Sequence, residues 1–246
     1  MKRDTSIEDI EVELLLEGIF QLFGVDLRNH LRAPLKRKLH QLMHETGATT
    51  VSALQNQVMH DGAIRDALLH ALCPRPESIV PDPEYWKSLR VILGSYLSSF
   101  PSPRIWIVEC SDAHDADILS IMLEEERLSA HAQIFATSSN EAIVRESRKG
   151  EDGRTTFGTE IQDRIIWSQF NISTDSTFNE FQLIICRNAL TDCGSSLKRH
   201  VLNLFHESLS TFGILNINGV SEIEAAPFST QFRKLPLEGG WYKHVA

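Results

Sequence analysis

The stretch WIVECSDAHDADILSIML, residues 106–123, decides the fold of the larger part of this chain. An apolar run typical of a buried strand is followed by a short polar turn and then by apolar residues at helical spacing. In α/β proteins this junction commonly holds a nucleotide or cofactor, and glycines in the turn let the ligand approach the backbone closely. This turn contains no glycine and is crowded with titratable residues, which are Glu109, Asp112, His114, Asp115 and Asp117. The stretch therefore predicts an α/β fold whose first turn departs from the usual pattern.

The segments around this stretch predict a mostly parallel sheet covered by helices. Five short apolar runs follow one another over residues 104–218, and helical patterns at 114–128, 140–148 and 195–210 separate most of them. Continuous apolar strands that alternate with helices are typical of parallel sheets buried on both faces. The final stretch QFRKLPLEGGWYKHV, residues 231–245, predicts two strands around a Gly-Gly turn. The sheet is therefore expected to end in an antiparallel edge.

The N-terminal part of the chain predicts helices. Apolar residues recur at three and four positions along IEVELLLEGIFQLF, and Thr5 with Glu8 fits a capping box before this helix. Gly24 and Gly47 are placed to end the first two helices, because glycine adopts the left-handed conformation common just after a helix.

Composition predicts the domain boundaries. Residues 1–73 form the helical domain, and a stretch with four prolines in ten residues follows it. Proline removes a backbone donor and disfavours helix in the residue before it, so residues 74–82 are predicted to be a linker. The α/β domain then comprises residues 83–246.

Charge and hydropathy limit the possible partners and locations. The net charge of −9 over 246 residues argues against nucleic acid as the main partner. The N-terminus lacks the apolar core of a signal peptide, and no apolar run approaches the ~18 residues that a membrane span needs. A cytoplasmic location without membrane insertion is therefore expected.

One basic cluster contrasts with the acidic balance of the chain. It lies in the eleven-residue stretch RNHLRAPLKRK, residues 28–38, and consists of Arg28, Arg32, Lys36, Arg37 and Lys38. Such a cluster is either a solvated helix face or a docking face for an acidic partner.

Two groups of residues raise the question of a metal site. His40 and His44 stand at helical i, i+4 spacing, which suits either a metal or an ordinary surface pair. The acidic residues and histidine at 112–117 resemble a ligand set, but acids are also favoured at a helix N-terminus by the helix dipole. Neither group predicts a metal on its own.

Several segments together resemble the CheR family of chemotaxis receptor methyltransferases. The similar segments are GVDLRNHLRAPLKRKLHQLMHETG, RIWIVECS, IFATSSNEAI, IIWSQFNI and FQLIICRNAL. The resemblance implies an N-terminal helical domain and a Rossmann-like methyltransferase domain that uses S-adenosylmethionine to methylate glutamates on chemoreceptors. It also implies that the basic face of the helical domain, here Arg28, Arg32, Lys36 and Arg37, contacts acidic receptor helices.

The same resemblance assigns the cofactor to one set of residues. They are Cys110, Ser138, Asn171, Arg187 and Asn188. No metal is implied. Methyl transfer to an ionised carboxylate needs a bound cofactor, an aligned nucleophile and a dry site rather than a strong base.

The chain departs from the family pattern at several separate places. Where the family has GCSTGEEPYS, this chain has ECSDAHDADI, so that Glu109 and Ala113 replace both glycines. Ser138 stands where the family has an acid for the ribose hydroxyls, and Asp192 stands at a tyrosine position. In the linker, the altered residues are Arg75, Glu77 and Pro81. Before the third strand, the short segment 150–163 takes the place of a receptor-docking subdomain.

These departures predict a degenerate member, a methyltransferase-like fold kept as a binding or regulatory module in chemosensory signalling. The alternative is an active protein-glutamate O-methyltransferase with rearranged contacts. A third hypothesis is a pocket for an anionic ligand, to which Arg75 and Arg187 would contribute. Because a buried carboxylate is costly unless it is paired, Glu109 is expected to reach solvent or a cation.

Overall fold

A computed structural model describes residues 6–72, 83–149, 164–177, 179–187, 189–218, 220 and 223–245. The chain divides into two compact units: Met1–Arg75 with Asp192–Leu197, and Pro76–Thr191 with Lys198–Ala246. The predicted linker 74–82 lies outside the described residues.

The helical unit contains four helices in its described part. They are α1 Ile7–Phe23, α2 Arg32–Thr46, α3 Val51–His60 and α4 Gly62–Leu72. Gly24 and Gly47 both have φ +72° and end α1 and α2 as predicted. The capping box lies one residue later than predicted, since Ser6 caps α1 and exchanges hydrogen bonds with Asp9. Serine and threonine both occur at this position, and serine is the more favoured of the two.

A short segment from later in the chain belongs to the helical unit. The carbonyl of Asp192 accepts the N–H of Leu31 (2.8 Å), and the N–H of Gly194 donates to the carbonyl of Asn29 (2.9 Å). The Asp192 carboxylate also pairs with Lys38 at 3.0 Å. At the family's tyrosine position, this chain therefore has an acid that is engaged within the helical unit.

The α/β unit alternates strands and helices as the sequence predicts. Its described helices are α5 Pro83–Ser95, α6 His114–Glu125, α7 Glu141–Lys149 and α8 Ser195–Ser208, the last of which begins in the segment grouped with the helical unit. Its described strands are β1 Arg104–Ile107, β2 Gln133–Ser138, β3 Ile165–Gln169, β4 Phe181–Cys186, β5 Leu209–Ile217, β6 Phe232–Lys234 and β7 Trp241–His244.

The described strands form one seven-stranded sheet in the order β3-β2-β1-β4-β5-β7-β6. The pairs from β3 to β5 are parallel, and β7 pairs antiparallel with both β5 and β6. The prediction of a mostly parallel sheet with an antiparallel C-terminal edge is confirmed. None of the helices in the described ranges combines the length and apolarity that a membrane span requires.

Trp106 in β1 fixes the centre of this sheet. Its side chain is fully buried, and its indole N–H donates to the hydroxyl of Thr137 in β2 at 2.8 Å. Its ring packs against Phe170, Phe181 and Phe205. Because β1 lies between β2 and β4, the carboxyl ends of these three parallel strands are neighbours at one edge, where ligands bind in open α/β sheets.

Candidate functional site

The turn after β1 keeps a glycine-like backbone without a glycine. Glu109 has φ +54°, in the left-handed region that residues with a Cβ atom rarely adopt. Hydrogen bonds to both neighbouring strands hold the turn: the N–H of Val108 donates to Ile185 (2.9 Å), and that of Cys110 donates to Thr137 (2.7 Å). The turn therefore has, at residue 109, a backbone conformation that favours glycine, and it carries a glutamate there.

The Glu109 side chain reaches from this turn to the end of β2. Its Oε2 atom accepts both the N–H (3.2 Å) and the hydroxyl (3.0 Å) of Ser139. Desolvation by burial raises the pKa of Glu109 to about 7, against the opposing effect of these two hydrogen bonds. We expected solvent or a cation at this carboxylate. Glu109 is partly exposed, so solvent remains within reach, whereas its hydrogen-bond partners in the described part of the chain are neutral donors and not a cation.

The other titratable residues of the turn form the start of α6. Asp112 Oδ1 accepts the N–H of His114 at 2.9 Å, a local bond typical of a helix beginning. Burial raises the pKa of both Asp115 and Asp117. Within the described ranges no group of three or more such residues is arranged to hold a metal ion. The observed contacts of Asp112 are those of a helix start.

Arg187, directly after β4, is engaged by its surroundings. Its NH1 atom lies 3.4 Å from Asp115 Oδ1, and its guanidinium stacks over the rings of Tyr85 (4.2 Å) and Trp86 (5.6 Å). The Tyr85 hydroxyl in turn donates to Asn216 Oδ1 at 3.3 Å. Of the other residues invoked for an anionic ligand or cofactor, Arg75 and Asn188 lie outside the described residues.

The remaining predicted cofactor residues lie at the ends of the neighbouring strands. Cys110 is buried, and burial raises the pKa of its thiol, so the sulfur is neutral. Ser138 is also buried, and its hydroxyl oxygen accepts the N–H of Asn140 at 3.4 Å. Asn171 closes the turn after β3, where its Oδ1 accepts the N–H of Ser173 at 2.9 Å.

The fold thus brings four of the predicted cofactor residues to the same edge of the sheet. Cys110 follows β1, Ser138 ends β2, Asn171 follows β3 and Arg187 follows β4. Their role in cofactor binding stays a prediction. Sequence reasoning missed Ser139, which stands beside Ser138 in the ATSSN stretch, and Tyr85 in α5. A hydroxyl next to an expected ribose-binding position was the only signal for Ser139.

The predicted partner-binding residues lie on and just before α2, and three of the four are paired with acids of the same unit. Arg37 is exposed and has no ion pair within the described residues. The pairs are Arg28 with Glu17 (3.0 Å) and Asp26 (2.9 Å), Arg32 with Glu13 (3.7 Å), and Lys36 with Glu8 (3.4 Å) and Asp9. Internal pairing reduces the positive field that would attract an acidic partner, and the partner-binding role of these residues stays a prediction.

Two family descriptions match separate parts of the chain. Residues 10–73 match the CheR methyltransferase all-alpha domain, and residues 147–238 match the CheR methyltransferase SAM binding domain. The second match begins after β2, so the turn carrying Glu109 and the serines at the end of β2 lie outside it.

Relatives match over most of the chain. A Pseudomonas putida protein described as a methyltransferase, Cher3, is 28% identical over 92% of this chain and 94% of its own length. A chemotaxis protein methyltransferase of Listeria monocytogenes is 24% identical over 81% of this chain and 85% of its own length. Among solved structures, CalO1, a methyltransferase in calicheamicin biosynthesis, is 10% identical with a TM-score of 0.45, covering 98% of this chain and 73% of that one.

Proposed function

The chain belongs to the CheR methyltransferase family, and from this premise we propose that it is a degenerate member: a methyltransferase-fold protein that acts as a binding or regulatory module in bacterial chemosensory signalling. The observation that carries the proposal is the Glu109 side chain, which spans the carboxyl ends of β1 and β2 and takes both donors of Ser139. A chemoreceptor or another component of the sensory pathway is the proposed partner, in the cytoplasm.

The first support comes from what S-adenosylmethionine would need at this edge. In dinucleotide-binding folds, a tight glycine turn after the first strand lets the ligand approach the backbone, and an acid after the second strand accepts the ribose hydroxyls. Here the turn carries the Glu109 side chain, and Ser138 at the end of β2 is buried. The residues present therefore do not fit the cofactor in the position that the family implies.

The second support comes from Arg187. A cation at this edge would help to hold the cofactor's carboxylate or a reacting glutamate. The guanidinium lies beside Asp115 and over the Tyr85 ring instead, so its charge is partly compensated before any ligand arrives. A methyl acceptor gains less from such a cation than from an uncompensated one.

The experiment is isothermal titration of the full chain with S-adenosylmethionine and S-adenosylhomocysteine at two temperatures. We expect no binding heat at either temperature, and no rise in melting temperature with either ligand. Micromolar binding of either ligand would contradict the proposal.

The second candidate function is an active S-adenosylmethionine-dependent protein-glutamate O-methyltransferase acting on chemoreceptors. Its support is the match to the SAM binding domain over residues 147–238, which includes Asn171 and Arg187, and the glycine-like backbone kept at Glu109. It predicts micromolar cofactor affinity that Asn171→Ala removes, and transfer of a labelled methyl group to receptor glutamates. An Asn171→Ala variant that matches the wild type in both assays would count against it.

A further inference from the structure

One side chain links the ends of two neighbouring strands at the candidate site. Glu109 follows β1, Ser139 follows β2, and the strands pair in parallel with Ile107 opposite Ala136. Both donors of Ser139, its N–H and its hydroxyl, converge on the single Oε2 atom of Glu109. Within the described residues, the polar groups that Ser139 presents at this edge are thereby satisfied from inside the protein.

The backbone of the turn depends on its neighbours rather than on the Glu109 side chain. Hydrogen bonds from Val108 to Ile185 and from Cys110 to Thr137 fix the chain immediately before and after residue 109. A residue with a Cβ atom adopts the resulting φ of +54° less readily than glycine does. A glycine is therefore expected to keep the turn and to remove only the side chain that crosses the edge.

We propose that Glu109 is a tethered occupant of this edge, whose carboxylate competes with S-adenosyl ligands for the Ser139 donors and for the space that a ribose would need. The inference rests on the proposed function, since it gives a reason for the expected lack of cofactor binding. A group fixed to the protein competes at a high effective concentration, so a free ligand of weak affinity does not displace it.

The test is titration of S-adenosylhomocysteine into the wild type, Glu109→Gly and Glu109→Gln. We expect Glu109→Gly to bind more tightly than the wild type by about tenfold or more. Glu109→Gln keeps the length of the side chain and an oxygen that accepts from Ser139, so it is expected to behave like the wild type. Glu109→Ala, which also lacks the carboxylate, serves as a second variant if Glu109→Gly does not melt cooperatively.

The outcomes separate this inference from the proposed function. If neither the wild type nor Glu109→Gly and Glu109→Ala bind, the tethered-occupant inference is wrong and the proposed function stands. If the wild type binds and Glu109→Gly binds about tenfold more tightly, the proposed function is wrong and the inference stands. If the wild type binds and Glu109→Gly loses affinity, both are wrong, because Glu109 is then a cofactor contact. Equal binding by Glu109→Gln and Glu109→Gly would overturn the inference, since charge and not occupancy would be the obstacle.

Discussion

The pKa values of particular acidic side chains are shifted in opposite directions in the two units of this molecule. In the helical unit, Lys36 and Ser6 lower the pKa of Asp9 to about 2, and the Arg28 guanidinium lowers the pKa of the buried Asp26. In the α/β unit, burial raises the pKa of Glu109 to about 7, and its hydrogen-bond partners within the described residues are neutral. The comparison teaches that a close cation and the extent of burial together decide whether a carboxylate stabilises the fold when ionised, since burial raises the pKa of Asp115 even beside Arg187.

The largest expected effect is that of Arg28→Ala, which removes the cation that pairs with Asp26 in the helical unit. Arg28 makes two bonds of 2.9 Å to the Asp26 carboxylate and stacks over the Phe20 ring at 3.8 Å. Because Asp26 would be left as a buried carboxylate without its cation, the free energy of unfolding should fall by about 2–4 kcal/mol. The measurement is urea denaturation followed by far-ultraviolet circular dichroism, which reports helix.

The control for this prediction is Arg37→Ala on the neighbouring helix. Arg37 is exposed and makes no ion pair within the described residues, so its removal should change the free energy of unfolding by less than about 0.5 kcal/mol. Equal losses in the two variants would mean that the pair with Asp26 does not stabilise the helical unit.

The next effect is the pH dependence that Glu109 gives to the stability of the α/β unit. The pKa of Glu109 is raised from its ordinary 4.5 to about 7. Between these pH values the Glu109 carboxyl group is therefore more fully protonated in the folded chain than in the unfolded chain. The contribution of Glu109 to stability should therefore fall as pH rises through this window, by about 2–3 kcal/mol. We expect the free energy of unfolding of the wild type to decrease relative to that of Glu109→Gln by this amount between pH 4.5 and pH 7.

Tryptophan fluorescence is the suitable probe for this measurement. All four tryptophans of the chain lie between residues 86 and 241, in the α/β unit. Asp115 and Asp117 also have raised pKa values, but both remain in Glu109→Gln, so the difference between the two proteins isolates Glu109. Parallel pH profiles for the wild type and the variant would show that this carboxylate is not desolvated.

The smallest expected effect is that of Arg32→Ala. Arg32 lies 3.7 Å from Glu13, and both side chains are exposed, by 41% and 62%. Solvent-exposed pairs contribute little, so the free energy of unfolding should fall by less than about 0.5 kcal/mol, and less still at high salt. If Arg32→Ala lowered the free energy of unfolding as much as Arg28→Ala, solvent exposure would not explain any difference between the Arg32–Glu13 and Arg28–Asp26 pairs.

The sequence by itself determined the elements of the fold and their order. The ends of α1 and α2 at Gly24 and Gly47, the parallel strands and the antiparallel edge all follow from local periodicity and turn chemistry. It also determined that the first turn lacks glycine. These features depend on residues close together in the chain, which is why a pattern can predict them.

The tertiary structure decided where the charged side chains of the turn go. The bond from Ser139 to Glu109 joins residues 30 positions apart, and the pairs Arg187–Asp115 and Lys38–Asp192 join residues 72 and 154 positions apart. The sequence suggested solvent or a cation for Glu109, and it gave no sign that Asp192 would face Lys38. The register between parallel strands and the burial of each carboxylate set these contacts, and both arise only when distant segments pack together.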